Sequence, residues 1–188
     1  MKLPRFLYHF TSKNNLSKIM KEGLRASDVS WDAHIANPSV FCVDIQNLAK
    51  SWSKKNICDY NLQSSLIFGQ ALKDGSRELC CVRIPTKALS SPVYVRNQKY
   101  VLDYELAKSG AEIVSRGNKY KLYQRNGQAI EYIHSGSIPP SSIEFVGSAK
   151  VADNIEGLFE TSAKELNSES ARMLKSIFQG SPEIKAFG

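Results

Sequence analysis

The sequence predicts an α+β fold, and three observations predict it. The chain opens on a strand, a turn and a short amphipathic helix between Leu3 and Leu24; its middle is a series of short apolar, strand-like runs divided by turn residues; and Asp153 to Gly180 turns helical and polar. With 188 residues, 42% hydrophobic and 23% charged, the chain has the composition of a globular protein with one good core. We expect residues 1–150 to form the principal domain and residues 151–188 a C-terminal helical extension packed on it.

Leu3 to Phe10 is apolar and aromatic, as a strand is. Ser12, Asn14 or Asn15 can cap the helix that follows, and Leu16, Ile19 and Met20 fall on one stripe. Gly23 supplies a left-handed C-terminal cap, after which Leu24 resumes an extended path. Arg25 to Pro38 reads as loop, with Trp31 and His34 its notable side chains. Ser39 to Asp44 is a compact strand, and Ile45 to Lys54 a helix with Ile45, Leu48, Ala49 and Trp52 on one face. Ser64 to Gln70 is a further strand or a helix start, and Lys73 to Ser76 a turn. Glu78 to Ile84 is a strand ended by Pro85, and Ser91 to Val95 a shorter one. A helix is expected over Tyr100 to Lys108, closed by Gly110, then a strand over Ala111 to Val114. Gln128 to Ile133 and Ile138 to Val146 read as two strands joined by a turn containing Pro139 and Pro140. In the C-terminal segment Leu166, Met173, Leu174, Ile177 and Phe178 form an amphipathic stripe that packs on the domain.

Composition removes several classes of function. No apolar run approaches the ~20 residues of a membrane helix. Lys2 and Arg5 precede no signal-peptide pattern, so a cytoplasmic site of action is expected. Cys42, Cys58, Cys80 and Cys81 lack CxxC spacing and read as buried free thiols. With three histidines, no zinc constellation is expected, and no metal cofactor. There is no GxGxxG and no P-loop. A formal charge of +7 and a pI of about 9.2 favour an anionic partner such as nucleic acid.

Three features carry chemistry. His9, at the end of a strand and followed by Thr11 and a helix N-terminus, stands where a polar ligand can be held; alone, it reads equally as a satisfied core histidine. Glu131 lies in an otherwise apolar run, where an unpaired charge is expensive and an acid usually has a partner or a task. Between Glu112 and Glu131 no acidic residue interrupts Arg116, Lys119, Tyr120, Lys121, Tyr123 and Arg125. Cations beside stacking rings suit a single strand of nucleic acid; the plainer reading is a solvated basic hairpin.

His9-Phe10-Thr11, then Asn15-Leu16, Ile19 and Gly23-Leu24, followed in chain order by Glu131-Tyr132-Ile133 and Ile138-Pro139-Pro140, resembles the ADP-ribosyltransferases, closest to the DarT-like nucleic-acid-modifying group. The resemblance implies a split mixed β-sheet core with flanking helices and NAD as co-substrate. It implies that His9 holds the nicotinamide-side ribose and that Phe10, Thr11, Asn15 and Leu16 line the NAD site. It further implies that Arg25 pairs with a phosphate, and that Ser39 with Phe41 seats the nicotinamide. Glu131 would bind the ribose 2′-hydroxyl and act in catalysis with His9. Arg116, Lys119, Tyr120, Lys121, Tyr123 and Arg125 would form the substrate-recognition loop. Such enzymes act as toxins, in toxin–antitoxin or phage-defence systems, so an antitoxin protein is a possible partner and no membrane is. A base in DNA or in RNA is the expected acceptor. The alternatives are a protein-modifying ADP-ribosyltransferase effector and a non-catalytic nucleic-acid-binding module on the same fold.

Overall fold

The computed structural model describes residues 3–27, 38–46, 72–90, 93–96, 112–116, 121–124, 131–153 and 163–187. The expected helices over 47–54 and 100–108, the element at 64–70, and Trp31, His34 and Cys58 lie outside them. The first strand, β1 (Phe6–Ser12), begins later and runs further than Leu3–Phe10. It pairs with β3 (Glu78–Pro85) without interruption from Phe6↔Pro85 to Ser12↔Leu79, so cross-strand bonding and not apolar content sets its ends. Ser12 then caps α1 (Lys13–Glu22), accepting from the Asn15 N–H at 3.3 Å.

The remaining strands are β2 (Ser39–Val43), β4 (Val93–Arg96), β5 (Glu112–Arg116), β6 (Lys121–Gln124), β7 (Glu131–Ser135) and β8 (Glu144–Lys150); a second long helix, α2 (Ala163–Ile177), follows them. Six strands form one sheet in the order β4-β7-β2-β1-β3-β8, and β5 with β6 forms a separate hairpin whose second strand lies against β4. Every ladder is antiparallel, so the sheet is not the mixed one that the resemblance implied. It is nevertheless nearly divided. β1 and β2 pair only at Tyr8↔Val43, whereas β1 with β3 and β2 with β7 pair along their whole lengths. Two three-stranded halves therefore part beyond Tyr8.

Both faces of the sheet are covered. Tyr8, Phe10, Val43, Leu79 and Cys81 pack with Met173, Leu174, Ile177 and Phe178, which lays the apolar stripe of α2 on one face. Leu7, Val40, Cys42, Val82 and Tyr132 face the other way, with Leu16 and Ile19 of α1 against them. Met20, expected in that stripe, is exposed instead. Cys42, Cys80 and Cys81 are buried free thiols. α2 approaches β8 closely at Gly147, where a Cβ would come within 2.2 Å of the Ile177 carbonyl oxygen. The chain end returns to β1: the Tyr8 hydroxyl donates to Glu183 at 2.6 Å, and the Tyr8 ring meets Phe178 edge-on at 5.6 Å. Among the described residues no helix is long and apolar enough to cross a membrane.

Candidate functional site

Where β1 leaves β2, the His9 side chain spans the gap. Its Nδ1 lies 2.7 Å from the Phe41 carbonyl oxygen, which can only accept, so Nδ1 carries the proton and donates. Burial lowers the imidazole pKa below its ordinary 6.5, against the smaller opposing effect of that bond. The ring is thus neutral at physiological pH, with its lone pair on Nε2. His9 keeps some exposed surface. An imidazole fixed at one nitrogen and bare at the other can accept a hydrogen bond from a ligand hydroxyl.

The elements around His9 are fastened to one another. The Ser12 hydroxyl donates to Asp74 at 2.5 Å, and the Asp74 carboxylate also accepts from the Asn15 side chain at 3.3 Å and the Ser76 N–H at 3.0 Å. The Ser12 hydroxyl, foremost among these bonds, holds the Asp74 carboxyl below its usual range. On the other side, Leu24 and Ile138 exchange two backbone bonds, both 2.9 Å; Ser27 and Ser39 exchange two more, at 3.2 and 3.1 Å; and the Gly136 N–H donates to Pro38 at 2.8 Å. The histidine motif and the glutamate motif, distant in sequence, are therefore clamped together through residues 24–27 and 136–138.

Gly23 makes this clamp possible. Its φ of 89° and ψ of 179° lie in an extended region open only to glycine, not in the left-handed helical region expected of a helix cap. A Cβ there would stand 2.2 Å from the Ile138 carbonyl oxygen. The backbone passes where a side chain cannot.

Several expected ligand residues have other employment. Phe10 is a core residue packed toward α2, because alternation along β1 turns it away from the His9 face. Asn15 is engaged by Ser12 and Asp74. Leu16 packs on the core. Arg25 is exposed and paired with Glu22 at 2.7 Å, one turn back on its own chain. Ser39 and Thr11 are buried beside the parting, and Phe41 contributes its carbonyl.

Glu131 begins β7 instead of lying within a strand, so its charge is not embedded in an apolar run. β2 separates β7 from β1, and the two motif strands are not neighbours. In register Glu131 pairs with Val43 and Arg96, and Val43 with Tyr8, which puts Glu131 one row from His9. Adjacent rows of a regular pleat face opposite ways, so the pleat alone does not turn these two positions to one side. Of the basic–aromatic stretch, Arg116, Lys121 and Tyr123 fall on the β5–β6 hairpin, beside the strand that pairs with β7. Lys119, Tyr120 and Arg125 lie outside the described residues.

One residue that sequence reasoning passed over stands out. His134, in β7 between Val40 and Val93, is 2% exposed. Its Nδ1–H donates to the Gly136 carbonyl at 2.9 Å, its Nε2 has no partner among the described residues, and burial lowers its pKa. An orphaned buried acceptor costs about 1–3 kcal/mol. The signal was there to read: a histidine alternating with Tyr132 on the buried face of a strand.

No protein-family model matches this chain, and no curated protein matches it in sequence.

Proposed function

We propose that this chain is an NAD-dependent ADP-ribosyltransferase, a glycosyltransferase that releases nicotinamide and modifies a base in DNA or RNA, in the setting of a toxin or a phage defence. The observation that carries the reading is His9: neutral, oriented by Phe41, and bare at Nε2 beside the parting of β1 and β2. An acceptor nitrogen in the middle of the sheet and a carboxylate on the next strand but one suit a sugar that develops positive charge as its bond to the leaving group breaks.

NAD supplies the nicotinamide–ribose bond and a good leaving group. His9 Nε2 accepts from a hydroxyl of the nicotinamide-side ribose and sets its orientation. Thr11 and Ser39, buried on the two sides of the parting, exclude water from that end of the site. Glu131 binds the ribose 2′-hydroxyl, opposes the growing positive charge, and takes the proton of the incoming nucleophile on its carboxylate. The reading requires Glu131 and His9, offset by one row, to engage one ribose from the two sides of the parting. The +7 charge and the hairpin beside β4 support an anionic polymer as acceptor.

The test is a long-range ¹H–¹⁵N spectrum of histidine-labelled protein, with His9→Phe to assign the signals. At neutral pH His9 should show a protonated Nδ1 and a bare Nε2. Addition of NAD should move the His9 Nε2 signal and leave that of His134 in place. A His9 signal indifferent to saturating NAD would overturn the reading.

A further inference from the structure

β8 is the outermost strand of the sheet, with β3 on one side and no strand on the other among the described residues. The direction of its backbone groups follows from one bond. The Val151 N–H donates to the Arg77 carbonyl at 3.0 Å, so odd-numbered residues at this end turn their backbone toward β3, and Ser148 and Lys150 turn theirs outward. The Lys150 carbonyl confirms the sense, since it accepts from Arg172 of α2 at 2.6 Å. Ser148 thus presents an unpaired backbone donor and acceptor along the edge. Phe145 stands 46% exposed on the same strand. Natural sheets seldom leave such an edge unmanaged, because it is a template for strand addition.

The sequence of the edge says what it accepts. Glu144-Phe145-Val146-Gly147-Ser148-Ala149-Lys150 carries an acid at one end, a base at the other, and a glycine at its centre. We propose that β8 is the interface for a second copy of this chain, the two β8 strands pairing antiparallel about a two-fold axis at Gly147. That register lays Glu144 beside Lys150 of the other copy, twice, once at each end of the pair. It brings the two Gly147 backbones together where neither has a side chain to obstruct the approach. Both end residues are exposed, with the Glu144 side chain 50% accessible although paired with Arg83 at 2.7 Å. The alternative register, a parallel addition, would set like charges together.

Lys150 and the irregularity opposite Cys81 and Val82 both discourage indiscriminate strand addition. Self-pairing is the arrangement in which the edge lysine meets a carboxylate. Arg172 already occupies one carbonyl slot at the Lys150 end, so the ladder is short and its core is Ser148 with the residues about Gly147. An interface this small lies at the weak end of specific association, with a dissociation constant expected at about 10–100 µM. The inference is independent of the transferase reading.

Sedimentation velocity over a concentration series tests it on the full chain. The wild type should move from monomer toward dimer as concentration rises. Lys150→Glu, which sets carboxylates together at both ends, should raise the dissociation constant about tenfold. Adding Glu144→Lys to it restores the charge match with signs exchanged and should bring the constant back near the wild-type value. Hydrogen exchange on the wild type gives a reading free of any folding defect: the Ser148 amide should slow at high concentration relative to low. A monomer at every concentration, dimerisation indifferent to Lys150→Glu, or a Ser148 amide insensitive to concentration would each overturn the proposal.

Discussion

Replacing Gly23 by alanine tests the join between the two motifs more sharply than any change to the motifs themselves. At φ 89° and ψ 179° a residue with a Cβ is strained by about 1–3 kcal/mol. The added Cβ would also sit 2.2 Å from the Ile138 carbonyl oxygen and 3.1 Å from the Pro140 nitrogen, both backbone atoms that no rotamer change can move aside. Relief requires parting Leu24 from Ile138, whose two bonds contribute about 1 kcal/mol each. The expected loss is therefore about 3–5 kcal/mol, a large share of the ~5–15 kcal/mol typical of a domain. Gly75 is the internal control: its φ is also positive, at 77°, but nothing lies within 4 Å of its would-be Cβ. Gly75→Ala should cost only the conformational strain, about 1 kcal/mol. Urea denaturation with unchanged m values measures both. If the two substitutions cost the same, the close approach of Gly23 to Ile138 is not what holds the motifs together.

Three further outcomes follow from named contacts. Ser12→Ala removes the helix cap and the bond to Asp74, and should lower the unfolding free energy by about 1–2 kcal/mol in urea. Tyr8→Phe keeps the edge-on contact with Phe178 but loses the bond to Glu183; with Arg83 still on that carboxylate, a loss of about 1–2 kcal/mol is expected by the same measurement. His9 and His134 both have folded-state pKa values below the ordinary 6.5, so the unfolded chain binds more protons as pH falls through that value. Stability should therefore be full above it and decline on acidification from about pH 7.5 to about pH 5.5, and His134→Leu should flatten the decline. A urea midpoint that rises on acidification, or a His134→Leu slope equal to wild type, would contradict this.

Local signals in the sequence were read well where local physics decides. Ser12 before an apolar stripe, Gly23 after it, and the apolar run Glu78–Ile84 all appear as the elements they suggest, because caps, positive φ and alternation act within a few residues. The division of the sheet into halves was implied by resemblance alone; no composition signals that β1 and β2 part after a single pair. What escaped was set by distant partners. Nothing near Ser12 announces that Asp74 will take its hydroxyl and the Asn15 amide, leaving Asn15 with a structural task. Arg25 could be paired by local spacing, since Glu22 is three residues back, and the structure forms that pair. The strand period also separates Phe10 from His9, a consequence of alternation that a motif read as a unit conceals. Glu131 looked embedded because apolar residues flank it, yet the ladder starts at that residue.

The central claim is that His9 and Glu131 serve one reaction on NAD, with a nucleic-acid base as acceptor. Transfer of label from NAD carrying radioactive phosphate measures it, offered separately to single-stranded DNA, duplex DNA, RNA and a protein lysate, with wild type, His9→Phe and Glu131→Ala in parallel. The account predicts label on a nucleic acid with wild type and a loss of at least about a hundredfold in each variant, the scale of removing a charge-stabilising catalytic group. No label on any polymer and no nicotinamide released, from protein whose fold is intact, would contradict it.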